Sequence, residues 1–180
     1  MNFARFDSKA KVWSGPKRDV IYNSNMSVGA LILDVLQKTP EMVGQVSADN
    51  GIELTCHELR LRTMKMASHL MSSGLKQGDV VGLIAANTEN LAPVVFACLA
   101  LGLPFNTLAT VMIESDIVHM YSRTKPKIIF CDGNIVEIVK AANEKLEKKA
   151  KIYTLVGKVD GFKFVNDIIA ATEIDEQVFS

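Results

Sequence analysis

The chain has 180 residues, 48% of them hydrophobic and 22% charged, and its twenty basic residues balance twenty acidic ones. That length supports one domain with a sizeable core, and the composition is that of a globular rather than a disordered chain. The balance excludes a global field for nucleic acid or anionic lipid, leaving only a local patch such as the lysine-rich run from Lys140 to Lys151.

Residues 1–26 mix polarities and carry loop signals at Gly15-Pro16 and Asn23-Ser24-Asn25, which reads as an N-terminal arm. The arm has charges but no apolar stretch of the kind a secretory signal needs. Ser27 is placed to cap a short helix whose Leu31, Ile32, Val35 and Leu36 share one face, ending before Thr39-Pro40. Two short strands, VGQVSA and GIEL, follow across Asp49-Asn50-Gly51, where Asn-Gly supplies the positive φ values of a tight hairpin turn. Residues 27–54 are thus a helix and a β-hairpin attached to an α/β subdomain that spans 55–180.

Thr55-Cys56-His57-Glu58 is a capping box, and the helix it opens runs to about Ser73 with Leu59, Met66, Ala67 and Leu70 facing the core. Gly74 falls where a left-handed residue ends a helix, Leu75 stands where a Schellman motif wants an apolar contact with Leu70, and Lys76 complements the helix C-terminus. The segment SSGLKQGD has the letters of a phosphate loop, but it lies after a helix and before the strand DVVGLIAA. A phosphate cradle needs strand, loop, then helix, because N–H groups bind anions and carbonyl oxygens repel them. The spacing also fails the G-x-x-x-x-G-K-[ST] pattern, so the segment is a helix stop.

After the strand 79–86, Asn87 caps a helix reaching Leu101, kinked by Pro93, apolar around nearly its whole circumference and closed by Gly102. LPFNTLA is a short extended segment, and Glu114 or Ser115 opens a helix through Ile117, Val118 and Tyr121 that Pro126 blocks. KIIFCD is a strand. A helix over about 135–149 carries Ile135, Val139, Ala142 and Leu146 on one stripe, with Glu144–Lys148 and Glu147–Lys151 as pairs four apart. The lysine run is then the solvated face of that helix. KIYTLVG is a further strand and FVNDIIAAT a last short helix. Strand and helix alternate, so the fold class is α/β, a mostly parallel sheet flanked by helices on both faces.

Sites in such sheets lie at the carboxyl ends of strands, here Ala85 to Asn87, Cys131 to Gly133 and Val156 to Lys158. None offers a nucleophile–base pair, a metal set or a glycine-rich turn. Cys131-Asp132-Gly133 is the least bland, either an activated thiol at a strand end or a buried strand cysteine before an Asp-Gly turn. Cys56, Cys98 and Cys131 are far apart and set among apolar residues, as reduced core cysteines are. His57, His69 and His119 have no ligand spacing, and Glu53, Glu58 and Glu89 pair only through tertiary contact. The residues assign no catalytic, cofactor-binding or metal position. The apolar run LAPVVFACLALGLPF is too short to span a membrane, and the chain reads as cytoplasmic.

The order of features does resemble a known family. The run from ELTCHELRLRTMKMASHL through GLKQGDVVGLIAANTENLAPVVFACLALG, together with KPKIIFCD, is similar to the N-terminal region of adenylate-forming enzymes. KVWSGP and SVGALIL resemble insect luciferase-like and 4-coumarate–CoA ligase-like acyl-CoA synthetases in particular. The resemblance implies ATP-dependent activation of a carboxylic or fatty acid to an acyl-adenylate and then transfer to coenzyme A, with ATP, Mg²⁺ and CoA used by a complete member. It also implies that the phosphate loop and the catalytic lid lie downstream, so the chain is expected to be an incomplete part of a larger fold, inactive alone. Its apolar faces are then expected to self-associate or to bind a larger relative. Many insect members that this chain resembles end in a peroxisomal tripeptide of the S-K-L type, whereas this chain ends in Val178-Phe179-Ser180.

Overall fold

A computed structural model describes residues 4–15, 22–48 and 50–174. The arm holds a small antiparallel hairpin, β1 (Arg5–Asp7) with β2 (Val12–Ser14), exposed at every position. This hairpin was not expected in the arm; the Asp7 carboxylate builds its turn by accepting the Lys9 and Ala10 N–H groups.

Helix α1 (Val28–Lys38) begins where Ser27 Oγ accepts the Ala30 N–H at 3.1 Å. Its inward face is Gly29, Leu33 and Leu36 with Ile32 beside them, so Ile32 and Leu36 of the expected stripe face the core while Val35 is exposed. Gly29 sets that rotation. A Cβ there would lie 2.3 Å from the backbone of Ala100, so α1 docks through its glycine. β3 (Val43–Val46) and β4 (Glu53–Thr55) pair antiparallel. Their connection is wider than a two-residue turn, because Ser47 N–H bonds to Ile52 O and Gly51 N–H returns to Ser47 O. Gly51 has the expected positive φ; Asp49 lies outside the described residues.

The capping box forms as read. Thr55 Oγ1 accepts the Glu58 N–H at 3.1 Å, Glu58 Oε2 accepts the Thr55 N–H at 2.8 Å, and α2 (Cys56–Ser72) follows. Its end is a full Schellman closure, Leu75 N–H to Leu70 O and Gly74 N–H to Met71 O, around Gly74 at φ +88°. SSGLKQGD is therefore a helix stop in three dimensions as well.

β5 (Val81–Ile84) leads to α3 (Leu91–Leu101), whose described residues are all buried or half-buried. Its cap is Asn90 rather than Asn87, which stays exposed. Starting three residues later puts Pro93 in the first turn, where its missing N–H breaks no helical bond, so the expected kink has no cause. β6 (Phe105–Leu108), α4 (Glu114–Thr124) and β7 (Ile128–Cys131) come next. A short 3₁₀ turn then opens α5 (Val136–Glu144), which ends well before Lys149. Buried Asn143 causes the early stop. Its side chain donates to Ala150 O at 3.0 Å and accepts the Ala150 N–H at 2.9 Å, folding 144–150 back on the helix. The two expected i,i+4 pairs are consequently absent; Glu147 meets Lys125 instead, and Lys149 donates to the carbonyls of Glu144 and Leu146. β8 (Lys151–Thr154), β9 (Lys163–Phe164) and α6 (Val165–Ala171) complete the order.

Five strands form one parallel sheet in the order β6-β5-β7-β8-β9. α2, α3 and α6 cover one face through a core that includes Met66, Val94, Phe130 and Tyr153. α4 and α5 cover the other through Ile117, Tyr121, Ile129 and Val139. On that side Gly82 is a necessity, since any Cβ would sit 2.8 Å from the Tyr121 ring. A third, small core of Leu36, Leu54, Cys56 and Leu59 ties α1 and the β3–β4 hairpin to the rest.

Candidate functional site

The chain leaves β5 toward β6 on one side and later adds β7 on the other, so the topological switch point lies between the carboxyl ends of β5 and β7. A ligand crevice in an open α/β sheet belongs there. Sequence placed Ala85–Asn87 and Cys131–Gly133 at those ends, and the structure puts the two loops side by side. What joins them is Asp132. Its Oδ2 accepts the Ala86 N–H at 2.8 Å, and the residue is only 8% exposed. Its other oxygen is buried with no partner among the described residues, and burial pushes the carboxyl above its ordinary value while the Ala86 N–H acts the other way. The sequence suggested only an ordinary Asp-Gly turn here; the acid before a glycine at a strand end was the sole signal.

Gly133 closes the neighbouring gap. Its N–H bonds Val156 O at 2.6 Å, and a Cβ would meet Gly157 O at the same distance, so the loops after β7 and β8 are zipped backbone to backbone. Asn90 spends its amide on Leu155 O at 2.7 Å and accepts from Arg62 at 3.1 Å, which fixes the start of α3 against β8. Above the β5 loop a cleft of about 490 Å³ opens between Gln45–Ala48 and Ala86–Thr88, with Gln45 Nε2 donating to Thr88 O at 3.2 Å.

The remaining candidates scatter. Cys131 is wholly buried and its thiol is pushed up to about 12 by desolvation first and the neighbouring Asp132 second, so the activated-thiol reading fails. Cys56 and Cys98 are buried free thiols too. Glu58 is engaged in the capping box, and the Thr55 N–H lowers its carboxyl. His57 and His119 are exposed. His69 sits half-buried at the end of α2, its imidazole lowered by desolvation and by Lys163 and Lys151. Among the described residues no group of three or more His, Cys, Asp or Glu could hold a metal ion. No helix among them is long and apolar enough to cross a membrane.

ATP, Mg²⁺ and CoA do not fit what is present at the switch point. The β5 loop from Ala85 to Asn90 has neither glycine nor cation, and the β7 loop contributes a carboxylate. A polyphosphate needs converging N–H groups and positive charge. A second cleft, of about 350 Å³, is lined by five lysines including Lys125, Lys127 and Lys151. It lies at the amino ends of the strands, beside the C-termini of α2 and α4, where the lysines complement carbonyls; Lys127 is already paired with Asp79 at 2.7 Å.

Comparison with known proteins places this arrangement. The family model for AMP-binding enzymes matches residues 34–177. Luciferin 4-monooxygenase from Photuris pensylvanica is 28% identical over 108 residues, 59% of this chain and 20% of that protein. The luciferase-like enzyme of the nonluminescent mealworm Zophobas morio superposes with a TM-score of 0.80 at 20% identity, over 88% of this chain and 38% of that one. A benzoate CoA ligase from Burkholderia xenovorans LB400 superposes with a TM-score of 0.69 at 20% identity, over 82% of this chain and 29% of that one. The chain thus spans between a fifth and two-fifths of the length of these relatives.

Proposed function

The chain belongs to the AMP-binding enzyme family, and from that premise we propose that it supplies the N-terminal part of an ATP-dependent acid–CoA ligase. The reaction would join a carboxylic or fatty acid to coenzyme A through an acyl-adenylate. The observation that carries this reading is the family match over 34–177 combined with a switch point that offers no phosphate cradle. The scaffold belongs to the family, and the chemistry must be supplied by sequence outside it. By itself the chain is inactive. A complete relative would serve fatty-acid metabolism, with a peroxisomal address on that relative and a cytoplasmic one for this chain.

The test is ATP-dependent pyrophosphate release with a panel of aliphatic and aromatic acids. It is run on the chain alone and on the chain fused to the downstream part of the Zophobas morio enzyme. Silence alone and release from the fusion support the reading. Release from the isolated chain overturns its inactivity, and a silent fusion that melts cooperatively overturns the ligase assignment.

A second reading, a non-catalytic module that binds a partner, is favoured by one observation: large apolar side chains are exposed on many of the described residues between Phe6 and Ile52.

A further inference from the structure

The lysine-rich run from Lys140 to Lys151 plays no part in the family reading. α5 ends at Glu144, so Lys148, Lys149 and Lys151 do not lie on a solvated helix face. The turn that Asn143 ties to Ala150 carries them instead to the approach to β8. There they meet Lys125 and Lys127 on the approach to β7, because β7 and β8 are neighbours and the Lys151 N–H bonds Lys127 O at 3.0 Å. Five lysines from two connections thus line one cleft of about 350 Å³, and no acidic side chain among the described residues joins them.

Their charge is only partly matched. Lys127 pairs with Asp79 at 2.7 Å, and Lys125 with Glu147 at 3.6 Å in an exposed, weak pair. The Lys149 ammonium donates to the Glu144 and Leu146 carbonyls. Lys148 and Lys151 have no ion-pair partner among the described residues. Five ammonium groups therefore face two carboxylates, an excess of three on a chain of zero formal net charge. The helix ends beside the cleft offset little of it. The Leu70, Met71 and Tyr121 carbonyls already accept the N–H groups of Leu75, Gly74 and Lys125. Lys125 makes its bond in the left-handed region, at φ 49°, where glycine is unstrained and lysine is not. Leu75, Pro126 and Ile128 supply apolar wall between the charges. A concave wall of low dielectric lined by one sign of charge focuses its field on a small anion. Nucleic acid reads a basic stripe and a bilayer is a plane, whereas these lysines converge on a recess.

We propose that this cleft binds a small polyphosphate, whose oxygens Lys125, Lys127, Lys148 and Lys151 hold as point charges. The site opens at the amino ends of β7 and β8, whereas the switch point lies at the carboxyl ends of the sheet. It goes beyond the ligase reading and does not rest on it.

The probe is inorganic triphosphate, titrated calorimetrically into the 180-residue chain. The buffer holds about 0.15 M monovalent salt, which screens general surface attraction beyond about 8 Å. Expected is saturable binding that weakens about tenfold or more in Lys148→Gln/Lys151→Gln. Lys9→Gln/Lys140→Gln removes the same charge from exposed lysines outside the cleft and should change affinity by no more than about twofold. Lys148→Arg/Lys151→Arg keeps the charge and should stay within about threefold of wild type, which separates lost charge from lost fold. Absence of saturable binding overturns the proposal. So does an equal loss in the control pair, or a loss in the arginine variant as large as in the glutamine one. ATP should bind within about twofold of triphosphate, because no aromatic ring lines the cleft to stack a base. A gain of about tenfold for ATP overturns the polyphosphate as the group recognised, as does displacement of triphosphate by a single-stranded oligonucleotide at equal phosphate concentration. No Mg²⁺, acid or coenzyme A is present, so the outcome stands whether or not the ligase reading does.

Discussion

Residues 56–171 and residues 4–55 are built on opposite terms. In the first region every strand of the five-stranded sheet finds a parallel neighbour and every helix buries its stripe on one of two cores. In the second, the β1–β2 hairpin is exposed throughout and α1 and the β3–β4 hairpin share only a small third core. Local signals are good in both: Ser27 caps α1 as surely as Thr55 caps α2. Local signals make an element, and burial on both sides makes it independent.

The sharpest way to break this contrast is to strike the sheet itself. Phe130 is fully buried in β7, edge-on to Tyr153 at 5.4 Å between ring centroids. Phe130→Ala should cost about 3–5 kcal/mol in urea unfolding, enough to unfold much of the protein near room temperature. A loss under about 1 kcal/mol would mean the sheet core is not what holds the chain together.

Gly29→Ala tests the seam between the regions. The added methyl would meet the Ala100 backbone, so α1 must lift from α3, at about 1–3 kcal/mol. Hydrogen exchange should quicken in α1 and the β3–β4 hairpin while β5, β7 and β8 stay protected. Uniform loss of protection would show that the two regions unfold as one. Thr55→Ala removes the cap where they meet and should cost about 1 kcal/mol, with fraying confined to the first turn of α2.

The smallest effect is one of pH. Burial raises the folded Asp132 carboxyl above 3.8, so its contribution to stability is fully present below that ordinary value and is lost as pH rises through the folded one. Asp132→Asn has no such loss. The stability difference, wild type minus variant, should therefore fall across the acid end of a series from about pH 4 to 8 and then level off. A difference that rises with pH would mean the carboxylate is favoured in the folded state, and that the partnerless oxygen at the switch point has a donor after all.

The sequence by itself determined the elements whose causes are local. Thr55 with Glu58, Gly74 with Leu75 and the β-branched run at 128–131 each act within a turn or two, so their outcome can be read in the letters. The order of those elements likewise made the parallel α/β class and the family resemblance legible. Only the tertiary structure decided which face of α1 is buried, because that rests on Gly29 meeting a backbone 71 residues away at Ala100. It alone stopped α5 at Glu144, since Asn143 had to reach Ala150, and it moved the cap of α3 to Asn90, whose amide is held by Leu155 and Arg62. The same is true of Asp132, whose bond to Ala86 exists only because β5 and β7 are neighbours in the sheet. A side chain's short-range hydrogen bonds are written in its neighbours along the chain; its burial is written in residues that the fold alone brings near.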